Sequence, residues 1–290
     1  MAYVTFCNMK NSIKKKCYDQ KKGYIIYIKI NISYITLFKY IIRYNLKNFY
    51  EGDSLVLYQP NNGYCYNSDT HFLYNFILEN LKKFKNINGE LLDIGSGSGI
   101  LGLLVTRDND KLNLNQCEIQ KSFQELSIKN AKCNNIETNL YKGSFLDLEF
   151  DKEFDICVSN PPFYHTNVIK SENESLKIAR YNDSMPLEKL IQKVSKVLKN
   201  SGKFFFCYDV KQLSEIIRLL GDYKLNIESL QFVHPKKNKD ATLVLVYARK
   251  NSKSLLKVLE PLLVFENGDF TNEVQKIYEK SSTHSIKVEI

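Results

Sequence analysis

With 290 residues, 43% hydrophobic and 25% charged, the chain can bury a sizeable core and has an ordinary globular composition, which excludes a disordered or fibrous chain. Its formal charge of +9 is confined to residues 1–50, where ten basic side chains face one acid, Asp19; the other 240 residues balance 31 basic against 31 acidic, so the net charge is no evidence of a nucleic-acid-binding body. Seven cysteines (7, 17, 65, 117, 133, 157 and 207) form no C-x-x-C pair, which argues against a disulfide framework or a metal site and for a reduced, cytoplasmic protein.

Residues 24–42 are apolar and rich in β-branched side chains, but Lys29, Asn31 and Lys39 interrupt them. A spanning helix would bury each lysine at a cost of roughly 2.5 kcal/mol or more. No small-residue cleavage site follows, so neither a membrane span nor a secretory leader is expected. An interfacial or extra-strand segment is the alternative. The Lys, Asn, Ile and Tyr that dominate residues 1–52 resemble translated AT-rich upstream sequence. Residues 1–52 are therefore expected to be a basic extension, non-native or poorly ordered, ahead of one domain over 53–290.

From residue 86 strands alternate with helices. Strands are expected at Glu90–Ile94, Asn113–Ile119, Asn139–Tyr141, Phe154–Ser159, Phe204–Tyr208, Leu225–Val233 and Thr242–Ala248. Helices are expected at Ile100–Thr106, Lys121–Lys132, Leu187–Leu198 and Leu213–Leu220, the third ended by Gly202. A further apolar run, Leu262–Phe265, precedes a turn at Glu266-Asn267-Gly268-Asp269. The alternation predicts an α/β, Rossmann-like, doubly wound and mostly parallel seven-stranded sheet.

Three features stand at the carboxyl ends of these strands. Asp93-Ile94-Gly95-Ser96-Gly97-Ser98-Gly99 joins the first strand to the first helix, where glycines admit a ligand to the backbone. Glu118 ends the second strand, where a carboxylate can accept both hydroxyls of a ribose. Asn160-Pro161-Pro162-Phe163 follows the fourth strand. Gly97 to Gly102 also fits the dinucleotide fingerprint G-x-G-x-x-G. However, the match falls late in the turn, and Asp93 would repel a pyrophosphate while suiting a sulfonium or ammonium cation. S-adenosylmethionine is the expected cofactor. An acid in the loop after the third strand, Asp147 or in its place Ser144, is the candidate contact for the cofactor's adenine.

An amide locked by two prolines and followed by an aromatic ring can grip an exocyclic amino group and stack on the flat ring bearing it. Asn160 Oδ1 and the Pro161 carbonyl would accept hydrogen bonds from the NH₂, and Phe163 would stack on the base. The bland alternative is a rigid turn after a strand. No histidine clustering suggests a metal, and His165 is not needed as a base.

The segments LLDIGSGSGILGLL, CEIQ, FDICVSNPPFY and GYCYNSDTHFLYNFI together resemble Class I adenine-N6 methyltransferases. The resemblance is nearest to the bacterial enzymes that methylate adenine 37 in the anticodon loop of a valine tRNA, whose aromatic-rich segment ahead of the sheet corresponds to Tyr64 to Thr70. IARYNDSMPLEKLI, HPKKNKDATLVLVYARK and PLLVFENGDFTNEVQKIY extend it, so that it spans about residues 55–280. It implies S-adenosylmethionine on Asp93, Gly95, Gly97 and Glu118, the target adenine on Asn160, Pro161 and Phe163, and tRNA as substrate. Gly99 and Pro162 complete the same two segments as candidate site residues, and a monomer is expected. Two departures stand out: the family's motif more often ends in Tyr than Phe, and residues 1–52 have no counterpart. Asn-Pro-Pro-Phe also occurs in guanine-N2 methyltransferases of ribosomal RNA, and release-factor glutamine methyltransferases use the same amide grip.

Overall fold

The computed structural model describes residues 26–27, 54–61, 65–163 and 185–289. The expectation for residues 1–52 falls outside these apart from Ile26–Tyr27, and Tyr164 and His165 also lie outside them.

In chain order the elements are β1 (Ile26–Tyr27), β2 (Leu55–Pro60), α1 (Ser68–Leu81), β3 (Gly89–Ile94), α2 (Ile100–Arg107), β4 (Leu112–Glu118), α3 (Lys121–Cys133), β5 (Thr138–Lys142) and β6 (Phe154–Ser159). There follow α4 (Leu187–Val197), β7 (Leu198–Asp209), α5 (Leu213–Asp222), β8 (Leu225–His234), β9 (Leu243–Lys250), β10 (Lys257–Val258), β11 (Leu262–Leu263), β12 (Phe265–Glu266), β13 (Asp269–Phe270), α6 (Asn272–Ser281) and β14 (Thr283–Val288).

The main sheet runs β8-β9-β7-β6-β3-β4-β5, with the two-residue strands β10 and β11 both added to β8. All pairings are parallel except those of β9, which lies antiparallel between β7 and β8. The seven long strands are the seven expected from the alternation. β6 and β7 read as apolar runs because helices cover both faces of a parallel sheet. Phe204 to Tyr208 are all fully buried. Phe205 stacks on its cross-strand partner Tyr247 at 4.5 Å, and Phe204 on Phe206 at 4.6 Å.

The chain winds outward from β3 to β5, then returns to β6 and winds the other way. The strand order therefore reverses between β3 and β6, where open parallel sheets leave a crevice at their carboxyl ends. Ile94 pairs with Ser159 across that point, so Gly95 and Asn160 follow the last residues of two neighbouring strands, which run about 4.8 Å apart.

One detail differs from the expectation. Gly202 does not end a helix: the helix stops at Val197, and Leu198 is already extended. Gly202 lies inside β7, in a bulge that shifts the register against β6, and a Cβ there would meet the Lys199 carbonyl oxygen at 2.8 Å. The apolar run 262–265 forms β11 and the start of β12. The expected turn after it is a tight hairpin, because Asn267 and Gly268 both hold positive φ, at 52° and 96°.

A second sheet, β1-β14-β2, is also new. Its β2 edge is closed by side chains of α3. Asn134 Oδ1 and Nδ2 bond the Val56 N–H and carbonyl, both at 2.9 Å, and Asn130 does the same to Tyr58 at 2.7 and 3.0 Å. The two asparagines sit four residues apart on one helix face and imitate a strand edge.

Candidate active site

The glycine turn is forced by its backbone. Gly95, Gly97 and Gly99 have φ of 65°, 53° and 87°, a region closed to most side chains. Neighbours fix its shape. Glu118 Oε2 accepts the Gly97 N–H at 2.8 Å, and Oε1 accepts the Gln120 N–H at 2.8 Å. The Asn130 amide that holds β2 also donates to the Ser98 carbonyl at 2.8 Å. The strand edge and the turn are thus tied through one buried side chain.

Asp93 is buried, and its Oδ2 accepts the Gly102 N–H at 2.9 Å. Its carboxylate therefore braces the first turn of α2 from beneath. Burial, and secondarily the Glu118 charge, push the Asp93 carboxyl up to about 7, although the Gly102 N–H pulls it down. An unfolded Asp ionises near pH 4. Between about pH 4 and 7 the folded state thus holds a proton that the unfolded state has lost, so this group's contribution to stability falls as pH rises through that window. Chemical denaturation of the cofactor-free protein is expected to show a smaller loss of stability from pH 5 to 8 in Asp93→Asn than in wild type. Equal losses would place the titration elsewhere.

Gly102 is needed for space, since a Cβ there would meet Leu114 Cδ1 at 2.7 Å and Asp93 Oδ2 at 2.9 Å. Gly102→Ala is expected to destabilise by about 1–3 kcal/mol despite alanine's better helix propensity. The urea midpoint measures it; an unchanged or raised midpoint would contradict the packing.

The residues around the turn fit a nucleoside-bearing cofactor. A carboxylate has about four lone-pair sites, so Glu118 keeps capacity for ribose hydroxyls beyond its backbone bonds. Burial raises its carboxyl, while the N–H groups of Gln120, Gly97 and Ile119 lower it. The buried Ser96 hydroxyl has no partner among the described residues. A Cβ on Gly97 would meet nothing within 4 Å, so the turn has open space on that side. Ile119, beside Glu118, is 47% exposed, an apolar surface suited to a heteroaromatic ring that the sequence reading passed over as a strand end. Asp147 lies on the exposed turn after β5, its N–H bonded to the Ser144 carbonyl at 3.0 Å.

Beside the turn stands Asn160. Its Nδ2 donates to Thr70 Oγ1 at 3.0 Å, and its Oδ1 accepts the Cys207 thiol at 3.0 Å. Burial, and then the nearby Asp69 charge, hold the Cys207 thiol well above its usual range, so it remains a protonated donor. A donor on one end and an acceptor on the other fix which way the carboxamide faces. One lone pair of Oδ1 remains. Pro161 is buried and Pro162 half-buried. Phe163 is also largely covered, its ring 5.7 Å from that of Tyr208. The sequence reading missed both partners of Asn160. Thr70 lies in the first turn of α1, in a segment noted only for its resemblance, and Cys207 sits within an apolar strand.

A family model described as "Methyltransferase small domain" matches residues 72–219, just over half of the chain. The chain belongs to this methyltransferase family. Its methyl donor is S-adenosylmethionine. Among curated proteins the methyltransferase is similar to the tRNA1(Val) (adenine(37)-N6)-methyltransferase of Pedobacter heparinus, 27% identical over 157 residues, covering 53% of this chain and 67% of that one. It is also similar to the release factor glutamine methyltransferase of Flavobacterium psychrophilum, 27% identical over 194 residues, covering 63% of this chain and 65% of that one. A solved structure from Agrobacterium tumefaciens, titled a predicted O-methyltransferase, shares the fold with a TM-score of 0.56 at 18% identity, covering 76% of this chain and all of that one. Among the described residues no helix of the methyltransferase is long and apolar enough to cross a membrane, and no cluster of metal-ligating side chains occurs.

Proposed function

We propose that this methyltransferase acts on the exocyclic N6 of adenine in tRNA, with adenine 37 of a valine tRNA as the first target to test. The observation that carries the reading is Asn160: a carboxamide oriented by Thr70 and Cys207, following the strand that neighbours the one ending in the glycine turn. The relatives named for tRNA adenine support the choice of base.

S-adenosylmethionine supplies an electrophilic methyl group. Gly95, Gly97 and Gly99 let the backbone approach the donor, and Asp93 holds their turn against α2. Glu118 accepts the donor's ribose hydroxyls, while Ile119 and, at the rim, Asp147 serve its adenine. On the acceptor side, the lone pair of an aromatic amine is delocalised into its ring. Hydrogen bonds from the NH₂ to Asn160 Oδ1 and the Pro161 carbonyl favour a more tetrahedral nitrogen with its lone pair directed at the methyl. Such positioning is worth several kcal/mol of barrier, and no prior deprotonation is needed. As the N–CH₃ bond forms, the sulfur–methyl bond breaks to leave the neutral thioether, and the cationic nitrogen, a strong acid, then gives its proton to water. Phe163 contributes the ring face, which requires its covered ring to open toward the base. An anticodon loop already exposes its bases, so little unstacking is demanded.

The glutamine methyltransferase relative favours one alternative, a release factor as acceptor. Offering tRNA and a release factor together with labelled donor separates the two. Label in the tRNA supports the proposal, and label in the protein alone overturns it.

A further inference from the structure

We propose that the β8–β9 turn and the β12–β13 hairpin form the surface on which the RNA substrate docks; this rests on the RNA reading above. Two basic runs stand out in the sequence body, Lys189 to Lys203 and His234 to Lys239, and the fold separates them. In the first run, Lys193 pairs with Glu149 at 3.6 Å, Lys199 pairs with Asp155 at 2.8 Å, and Lys203 lies 4.3 Å over the Phe84 ring. These three cations serve the fold, whereas Lys189 and Lys196 of the same run are exposed on α4 and make no ion pair with a described carboxylate. In the second run, Lys236, Lys237 and Lys239 are exposed and make no ion pair with a described carboxylate.

The second run is also in the right place. β9 is antiparallel to both β7 and β8, so β8 points the same way as β3 and β6. Its carboxyl end therefore opens on the edge that carries Gly95 and Asn160. Three strand spacings separate β8 from β6, about 14 Å, less than the width of an RNA stem.

The turn is a built element. His234 Nδ1 lies 2.8 Å from the Lys239 carbonyl, and the Lys239 N–H bonds the Lys236 carbonyl at 3.0 Å. The hairpin is fastened to it, because the Val264 N–H bonds the His234 carbonyl and the Phe265 N–H bonds the Pro235 carbonyl, both at 2.9 Å. Phe265 and Phe270 stack at 5.0 Å yet stay 37% and 40% exposed. Their neighbours Glu266 and Asp269 alternate with them and so take the opposite face of the ribbon. From Phe270 rings continue through Tyr278, at 5.3 Å, to His71, at 4.9 Å, which adjoins Thr70 and so Asn160. Unpaired lysines next to exposed stacked aromatics match the phosphate-and-base chemistry of unpaired RNA.

The test compares Lys236→Glu/Lys237→Glu/Lys239→Glu with a charge-matched control at the opposite edge, Lys111→Glu/Lys196→Glu/Lys224→Glu, using bulk tRNA and the full chain. The first variant is expected to raise the KM for tRNA at least tenfold, with kcat and donor affinity within about twofold. Its log affinity against log salt should be shallower by about 2, as expected when two or three phosphate contacts are lost. The control should match wild type. Phe265→Ala/Phe270→Ala should raise the same KM without changing the salt slope. If neither variant shifts the KM, or if the control shifts it equally, the docking assignment is overturned. If wild type itself labels no tRNA, the RNA reading fails, and the docking surface with it.

Discussion

Asn160→Ala is expected to lower methyl transfer at least about a thousandfold while donor affinity stays within about threefold. A thousandfold is about 4 kcal/mol, within what positioning of a reacting nitrogen supplies. The substitution removes the grip on the amine but leaves the glycine turn and Glu118 intact. The loss should appear in kcat, because the interaction is needed as the nitrogen changes shape. Thr70→Val should cost about tenfold, the value of one hydrogen bond that fixes the carboxamide, and Thr70→Ser should recover most of it. Single-turnover rates with saturating donor check all three. Transfer by Asn160→Ala within tenfold of wild type would remove the assigned role.

Glu118→Ala is expected to weaken donor binding at least about a hundredfold, with kcat at saturating donor much less affected. Hydrogen bonds to a charged group are worth about 1.5–3 kcal/mol each, and two ribose hydroxyls are at stake. The substitution also releases the Gly97 N–H, which is held at 2.8 Å, so the turn loses a clamp as well as a ligand. Glu118→Gln keeps an acceptor and should fall between the two. Calorimetric titration with S-adenosylmethionine checks this; affinity within fivefold of wild type for Glu118→Ala would contradict the ribose assignment.

The sheet was legible because its signals are local. Alternating apolar strands and amphipathic helices gave all seven long strands of the main sheet, although β7 starts at Leu198 rather than Phe204. The glycines at 95, 97 and 99 announced a turn that only glycine can follow. What escaped depends on contacts far apart in sequence. β2 and β14 pair across more than two hundred residues, and neither carries a signal of its own. Asn130 lowers helix propensity where it stands and Asn134 follows the helix end; their bonds to β2, and Asn130's to Ser98, explain them. Thr70 meets Asn160 from ninety residues away, and Cys207 meets it from a neighbouring strand. Gly202 misled because a glycine after an amphipathic helix usually caps it, whereas here it relieves a bulge. The lysine run at 236–239 was visible in the sequence, but only the sheet's topology places it on the carboxyl edge.

Whether Asn160 presents an adenine N6 to the donor is read from the nucleoside that carries the label. The protein is incubated with methyl-labelled S-adenosylmethionine and bulk tRNA, the RNA is digested, and the labelled nucleoside is identified. Label in N6-methyladenosine, lost in Asn160→Ala, is the predicted result. Label in N2-methylguanosine, or no label in RNA, would contradict it.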